Sequence, residues 1–283
     1  MNEKQVIPPS QNSLQFLENS LQCIVQNQGA VEPVYRFLAA HQNELNVELL
    51  NELPTLVSVL LSYNVGNEES VVGLLCIFGS LLLQFPLGTP EINIELAITI
   101  YKQALQVITR EDMPMKWATV MTNLAIAYFY RIRGDRAQNL EDAIDTYGEA
   151  LQVMTREAMP VEWSAAMMSL ANAYFYRIRG ERTQNLEDAI DAYKQSLQVR
   201  TREAMPFDWA TVMMNLANPY FYRKGDRAQN LEDAIDVCKQ ALQVMTREAM
   251  PVYWAITMNN LALAYLKRIR GDRAQNLEEA IEA

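Results

Sequence analysis

Residues 155–199 read TREAMPVEWSAAMMSLANAYFYRIRGERTQNLEDAIDAYKQSLQV, and this stretch decides the fold. Within it Trp163, Met167, Leu170, Tyr174 and Ile178 fall at i, i+4, i+7, i+11 and i+15, one apolar stripe at helical period. Pro160 suits the first turn of that helix, where its missing N–H costs nothing. Gly180 suits a left-handed residue that closes it. A second helix carries Leu186, Ala189, Ile190, Tyr193, Leu197 and Val199. Asn185 reads as its N-cap, with Asp188 three residues on as a variant capping box. The short charged linker between the two predicts an antiparallel helical hairpin.

The hairpin recurs. Asn139-Leu140-Glu141-Asp142-Ala143-Ile144-Asp145 returns from Asn185, from Asn230 and, with Glu for Asp, from Asn276, at spacings of 46, 45 and 46. A degenerate copy begins near Asn93, with Glu95-Leu96-Ala97-Ile98. Trp117, Trp163, Trp209 and Trp254 sit in register, each three residues after a proline (Pro114, Pro160, Pro206, Pro251). One hairpin cannot bury both its faces, whereas stacked hairpins can. No strand pattern occurs. The prediction is an all-α protein, a right-handed α-solenoid of helical hairpins with an N-terminal helical domain.

Composition agrees. Half of the 283 residues are hydrophobic, enough for a large core, and 24 bases against 34 acids give a net charge of -10. That balance argues against a nucleic-acid binder, which needs a basic footprint. His41 is the single histidine, so a multi-histidine metal site is excluded. Cys23, Cys76 and Cys238 lie far apart and read as reduced core thiols of a cytoplasmic protein. Met1 to Ser10 is polar and lacks the apolar run of a secretory signal. Ser70 to Pro90 has no charge, but its apolar part, Val71 to Leu83, falls short of the roughly 20 residues a spanning helix needs. It reads as a buried core helix.

The pattern resembles the tetratricopeptide repeat, whose first helix carries a Leu-small-x-x-Tyr group. Here the group is Leu124-Ala125-Tyr128, Leu170-Ala171-Tyr174, Leu216-Ala217-Tyr220 and Leu261-Ala262-Tyr265. The small, aromatic and small residues of its second helix are Ala97-Tyr101-Ala104, Ala143-Tyr147-Ala150 and Ala189-Tyr193-Ser196. The set Ala234-Cys238-Ala241 departs by placing Cys where an aromatic belongs. The period exceeds the usual 34 by about a dozen residues, as in repeats of the kinesin light chain type. The run Thr-Arg-Glu-Ala-Met-Pro-x-x-Trp-Ala, with Asn-Leu-Ala-x-x-Tyr and Arg-Ile-Arg-Gly-Asp-Arg-Ala-Gln-Asn-Leu-Glu, further resembles arrays in multidomain bacterial proteins. Those arrays often precede a caspase-like (CHAT) protease domain. The resemblance implies a non-enzymatic scaffold that binds a protein or peptide, with no cofactor and no metal.

Residues 1–90 and 91–283 divide by charge as well as by repeat. Residues 1–91 hold two bases, Lys4 and Arg36, against nine acids; residues 92–283 hold 22 against 25. Helices are predicted over about 11–28, 31–43, 46–63 and 68–85. In the first, Leu14, Leu17, Leu21, Ile24 and Val25 make one face; Pro54 starts or kinks the third; Gly66 lies in a turn. The simplest role is a cap on the first repeat. The chain stops at Ala283, partway through a second helix, which predicts an open apolar face that can drive self-association, and a parent protein that continues.

By the same resemblance, the concave groove is lined by residues two before and two after the Leu and by the pair just after the Tyr. Those are Thr122, Ile126, Phe129 and Tyr130; Met168, Asn172, Phe175 and Tyr176; Met214, Asn218, Phe221 and Tyr222; Asn259, Leu263, Leu266 and Lys267. The Phe residues are read as packing groups, leaving Tyr, Met and Asn groups to hold a peptide. Only Lys267 could serve a terminal carboxylate, so a tail clamp is disfavoured; the chain's own N-terminus is another candidate occupant. Linker arginines such as Arg131, Arg133 and Arg136 are expected to pair locally with Asp135, Glu141 or Asp142. Pro219 replaces an alanine inside a helix and predicts a kink near Asn215–Asn218. No catalytic constellation stands out.

Overall fold

The computed structural model describes residues 10–282. Met1 to Pro9, most of the segment read above as lacking a secretory signal, and Ala283 lie outside the described residues. The described residues fold into thirteen α-helices with no strand, and the chain divides into two compact units, Met1–Val153 and Met154–Ala283.

The first unit holds α1 (Gln11–Gln26), α2 (Val31–Ala40), a short 3-10 turn (Gln42–Glu44), α3 (Val47–Tyr63), α4 (Glu68–Gln84), α5 (Pro90–Val107), α6 (Pro114–Tyr130) and α7 (Arg136–Leu151). The hydroxyl of Ser10 caps α1 by accepting from the Ser13 amide at 3.1 Å, and Asn46 caps α3 through the Leu49 amide at 3.0 Å. That cap opens α3 seven residues before Pro54, which lies inside the helix rather than starting it. On α1, Val25 is exposed, against the expectation, and Phe16 is buried in its stead. Ile24 already points to the core, and a residue one step on is turned about 100° away. The uncharged stretch from Ser70 is α4, buried through Val72, Leu75, Phe78 and Leu82.

α4 packs on α5 as α6 packs on α7, α5 packs on α6, α1 packs on α2 and α4, and α3 packs on α5. The degenerate copy near Asn93 is therefore the second helix of a complete hairpin whose first helix is α4. α4 starts 46 residues before α6 and has the same length of 17 residues.

The second unit holds α8 (Pro160–Tyr176), α9 (Arg182–Ser196), α10 (Pro206–Tyr222), α11 (Arg227–Leu242), α12 (Pro251–Lys267) and α13 (Arg273–Glu282). They pair as α8/α9, α10/α11 and α12/α13, and α9 packs on α10 as α11 packs on α12. Each first helix opens on its proline, as expected. Pro219 does not break α10, which runs unbroken over the same 17 residues as α8 and α12. The proline sits buried in the last turn, where the packing of Val212, Leu216, Ala217 and Tyr220 holds the helix together.

Asn185 is not an N-cap. α9 begins at Arg182, so Asn185 lies inside it and is 2% exposed. Its Nδ2 donates to the carbonyls of Arg177 and Arg179 at 3.4 and 2.9 Å, tying the linker to the helix that follows. Asn139 does the same to Arg131 and Arg133 at 3.2 and 2.9 Å, Asn230 to Arg223 and Lys224, Asn276 to Arg270, and Asn93 to Leu87. The caps are the aspartates four residues earlier: Asp135, Asp226 and Asp272 accept from the amides of Gln138, Gln229 and Gln275. Gly180 does take a left-handed φ of 77°, but α8 has ended at Tyr176, so the turn belongs to the linker. A Cβ on Gly180 would lie 3.6 Å from the Asn185 Oδ1.

The core of each hairpin is the small-aromatic-small set. Tyr101, Tyr147 and Tyr193 are among the largest fully buried side chains, and Cys238 is buried in the fourth copy. Burial pushes the Cys76 and Cys238 thiols up to about 12, the state of packed thiols and not of nucleophiles.

Candidate functional site

The tryptophans have equivalent surroundings. Each is half-buried, and the guanidinium seven residues earlier covers the ring in three of them: Arg110 on Trp117, Arg202 on Trp209 and Arg247 on Trp254, at 5.4 to 5.7 Å. They are packing groups.

The Phe residues after the repeat tyrosines pack as well. Phe129, Phe175 and Phe221 each meet the next tyrosine edge-on, with ring centroids 4.9 to 5.0 Å apart. Arg136, Arg182 and Arg227 lie over those rings and donate to the carbonyl of the same Phe, closing the helix. In the second unit Phe175 also reaches Tyr222 of the next hairpin, at 6.2 Å.

Linker arginines pair both locally and across hairpins: Arg268 meets Glu279, the counterpart of Asp142, at 3.4 Å, while the forked pairs reach further back. Arg131 forks onto Glu95, Arg223 onto Glu187 and Arg268 onto Glu232, each a carboxylate 36 residues back on the preceding hairpin. Asp135 is a cap, and Arg133 reaches Glu91. The Glu95 and Glu232 forks raise the affinity of Arg131 and Arg268 for their protons, and the Arg268 guanidinium holds the Glu232 carboxyl below its ordinary range. These arginines hold hairpin to hairpin and are not a free basic ridge.

The residues left over form the candidate site. In the first unit a pocket of about 450 Å³ opens between α4 and α6. Ile126 and Tyr130, both named from sequence, line it with Ser80, Leu83, Gln84, Tyr101 and Asn123. No charged side chain is present. The Ser80 hydroxyl donates to the Cys76 carbonyl at 3.0 Å, so the Tyr101 hydroxyl, 3.0 Å away, donates to Ser80. Burial raises the Tyr101 phenol, which stays protonated. Tyr130 is 61% exposed at the rim. Thr122 bonds back to the Ala118 carbonyl and stays outside the pocket.

In the second unit Asn218, Tyr222 and Leu263 gather round a hollow of about 20 Å³, space for about one water. Asn260 joins them, with a buried Nδ2 that has no partner among the described residues. Tyr176 and Tyr222 are both more than half exposed. Asn172 is committed to the core side, accepting from the Tyr193 hydroxyl at 2.5 Å, and Met168 receives the Arg200 Nη1 at 3.8 Å. Met214, placed on the wall from sequence, is buried at 6%, because α10 is flanked by both α8 and α12. Asn259, Leu263 and Lys267 are exposed on α12.

Sequence reasoning missed Ser80, Gln84 and Asn123. The bonds Ser80–Tyr101 and Asn172–Tyr193 both span 21 residues, so Ser80 holds in α4 the position of Asn172. Counting back 46 residues from Ile126 would have found it.

A family model described as tetratricopeptide repeat matches residues 117–153, which span most of α6 and all of α7. The hairpins form a tetratricopeptide-like array. The crystal structure of BtubC (BKLC) from P. vanneervenii is similar to the chain, with 16% identity, a TM-score of 0.56, and 96% of this chain and 88% of that one covered. At that identity the likeness is one of fold. No curated protein matches the chain. Tetratricopeptide repeats in general mediate protein–protein interaction and are non-catalytic. Among the described residues of this array, no helix is long and apolar enough to cross a membrane.

Proposed function

We propose that the chain is a protein-interaction scaffold that holds a peptide segment on the face lined by Ile126 and Tyr130 in the first unit, and that the face lined by Asn218, Tyr222 and Leu263 in the second unit is a separate face of the same kind. The uncharged pocket of about 450 Å³ carries this reading. Leu83 and Ile126 offer an apolar floor, Tyr130 an exposed ring, and Gln84 and Asn123 amides with no partner among the described residues. Such a site takes a neutral segment, a side chain in the hollow and its main chain on the amides. The resemblance to arrays that precede caspase-like domains makes an effector of that kind, in a cytoplasmic parent protein, the first candidate to be regulated.

The division into a cap, residues 1–90, and an array, residues 91–283, belongs to the same proposal. α1 lies on α4 and α3 on α5, so the leading helices cover the first hairpin. The test is crosslinked capture from source lysate by the wild-type chain and by Gln84→Ala with Tyr130→Ala. Loss of the captured species from the double variant is expected. An unchanged set would remove the groove reading.

A second reading is self-association; Leu277 and Ile281 of the last helix of the given sequence, α13, are 37% and 84% exposed, and a following helix in a longer chain would cover them as in the other copies. Their counterparts Leu140, Leu186 and Leu231, and Ile144, Ile190 and Ile235, are all buried. Light scattering that shows one mass at every concentration would count against it.

A further inference from the structure

The crevice between α1 and α2 lies apart from the groove and from the repeats. It has a volume of about 180 Å³ and is walled by Asn12, Gln15 and Asn19 of α1, by Phe37 of α2, by His41, and by Glu44 of the 3-10 turn, with Phe16 behind. We propose that this crevice binds an arginine side chain presented by a basic segment of a partner protein.

Its surfaces are flat. The His41 ring lies on Phe37 with centroids 4.3 Å apart and planes at 28°, and Phe37 lies parallel to Phe16 at 6.2 Å and 15°. The stack ends in an imidazole that is exposed. Its acceptors are three: the Glu44 carboxylate, the Gln15 carbonyl and the His41 ring, beside the amides of Asn12 and Asn19. The His41 Nδ1 is 2.9 Å from the Phe37 carbonyl. A carbonyl only accepts, so in the neutral ring Nδ1 carries the proton and Nε2 is an acceptor. Glu44 has no ion-pair partner among the described residues, and neither does the Asn12 amide have a hydrogen-bond partner. Gln15 gives its Nε2 to the Asn19 Oδ1 at 3.0 Å and keeps its own carbonyl free to accept.

Among the described residues, no unpaired cation lies on the elements that form the crevice. Residues 10–69 hold seven glutamates and one base, Arg36, which is paired with Glu32. A guanidinium matches the carboxylate, the Gln15 carbonyl and the aromatic stack. It is planar, it stacks on aromatic faces, and it has five donors and no acceptor to leave unpaired. An ammonium offers a point charge and no face to lay on the imidazole.

His41 is the single histidine, so its imidazole proton resonances report on the crevice without assignment of the rest. The full chain is titrated with the peptide acetyl-Gly-Arg-Gly-amide and with its citrulline isostere, which keeps the shape and loses the charge. A saturable shift of the His41 resonances with the arginine peptide is expected, weakened about tenfold by citrulline and about tenfold by Glu44→Gln, the scale of one charge-assisted hydrogen bond. Asn12→Asp, on the exposed rim, should tighten binding, so the proposal stays testable if Glu44→Gln alters the circular dichroism. No shift up to about 10 mM, equal shifts from the citrulline or lysine peptide, or affinity unmoved by both substitutions would overturn the site. Because the crevice and the groove share no residue, such a failure leaves the groove reading intact.

Discussion

Arg200 is the least expected charge in the molecule. It stands in register with Ile108, Met154 and Met245, all buried, and is itself 7% exposed. The copies around it change in concert. Ser164 replaces the alanine seen at Ala118 and Ala210, and Ser196 the alanine at Ala104, Ala150 and Ala241. The Arg200 Nε donates to the Ser164 hydroxyl at 3.2 Å and its Nη1 to Asp208 at 3.2 Å, while Ser196 donates to the Ser164 carbonyl at 2.7 Å. A buried ion costs several kcal/mol to dehydrate, and here a single carboxylate, itself 56% exposed, returns only part of that. Arg200→Met restores the residue of the sister copies and strands nothing, because Ser164 keeps the Val161 carbonyl as acceptor and Asp208 turns to water. It should be neutral or stabilise by about 1–3 kcal/mol. Arg200→Ala removes the stem as well and leaves a cavity, so it should cost about 2–4 kcal/mol. Urea unfolding followed by tryptophan fluorescence, with hydrogen exchange of α9 to localise the effect, measures both. A loss above about 2 kcal/mol in Arg200→Met would refute the reasoning, since it would make the guanidinium network a net stabiliser.

Other expectations follow from the clamps. Asn139→Ala leaves the carbonyls of Arg131 and Arg133 without their donor and should cost about 2–4 kcal/mol by denaturant unfolding, with faster exchange confined to α6 and α7. Pro219→Ala restores one backbone bond in an unbroken α10 and should stabilise by about 1–3 kcal/mol; a lower melting temperature would contradict it. The folded pKa of Glu232 is depressed by Arg268, so its contribution is complete above the ordinary carboxylate value of 4.5 and is lost as pH falls through the lower folded value. Arg268→Gln should flatten that acid limb, and a stability profile unchanged below pH 4.5 would show the fork contributes nothing.

The repeat hairpins were legible because their signals are local. Proline at the first turn and an apolar stripe that starts three residues on specify α6, α8, α10 and α12 without reference to anything distant. α4 was not legible as a repeat helix. It has Glu68 where the others have proline and Val71 where they have tryptophan, so only its spacing from α6 and the Ser80–Tyr101 bond reveal it. The asparagine was misread for a related reason. Both Asn185 and Glu181 precede the apolar run, and a capping residue and a buried clamp look alike until the linker carbonyls are placed around one of them. Linker arginines show the same limit. Arg268 meets the local Glu279, but the forked partners of Arg131, Arg223 and Arg268 lie 36 residues back, where sequence proximity does not point.

Identity among the copies and difference among them sort by role. What repeats is what joins helix to helix and hairpin to hairpin: the Asn clamp, the Arg on Phe, the Arg fork and the buried Tyr. Several positions of the first helix vary instead; one reads Ser80, Ile126, Asn172, Asn218 and Leu263 down the chain, and another Thr122, Met168, Met214 and Asn259. Ser80 and Asn172 bond the tyrosine of the second helix of their own hairpin, whereas Ile126, Asn218 and Leu263 line a pocket. Variation at these positions, beside clamps that repeat, is in keeping with the proposed binding face and leaves its test to the Gln84 and Tyr130 variants.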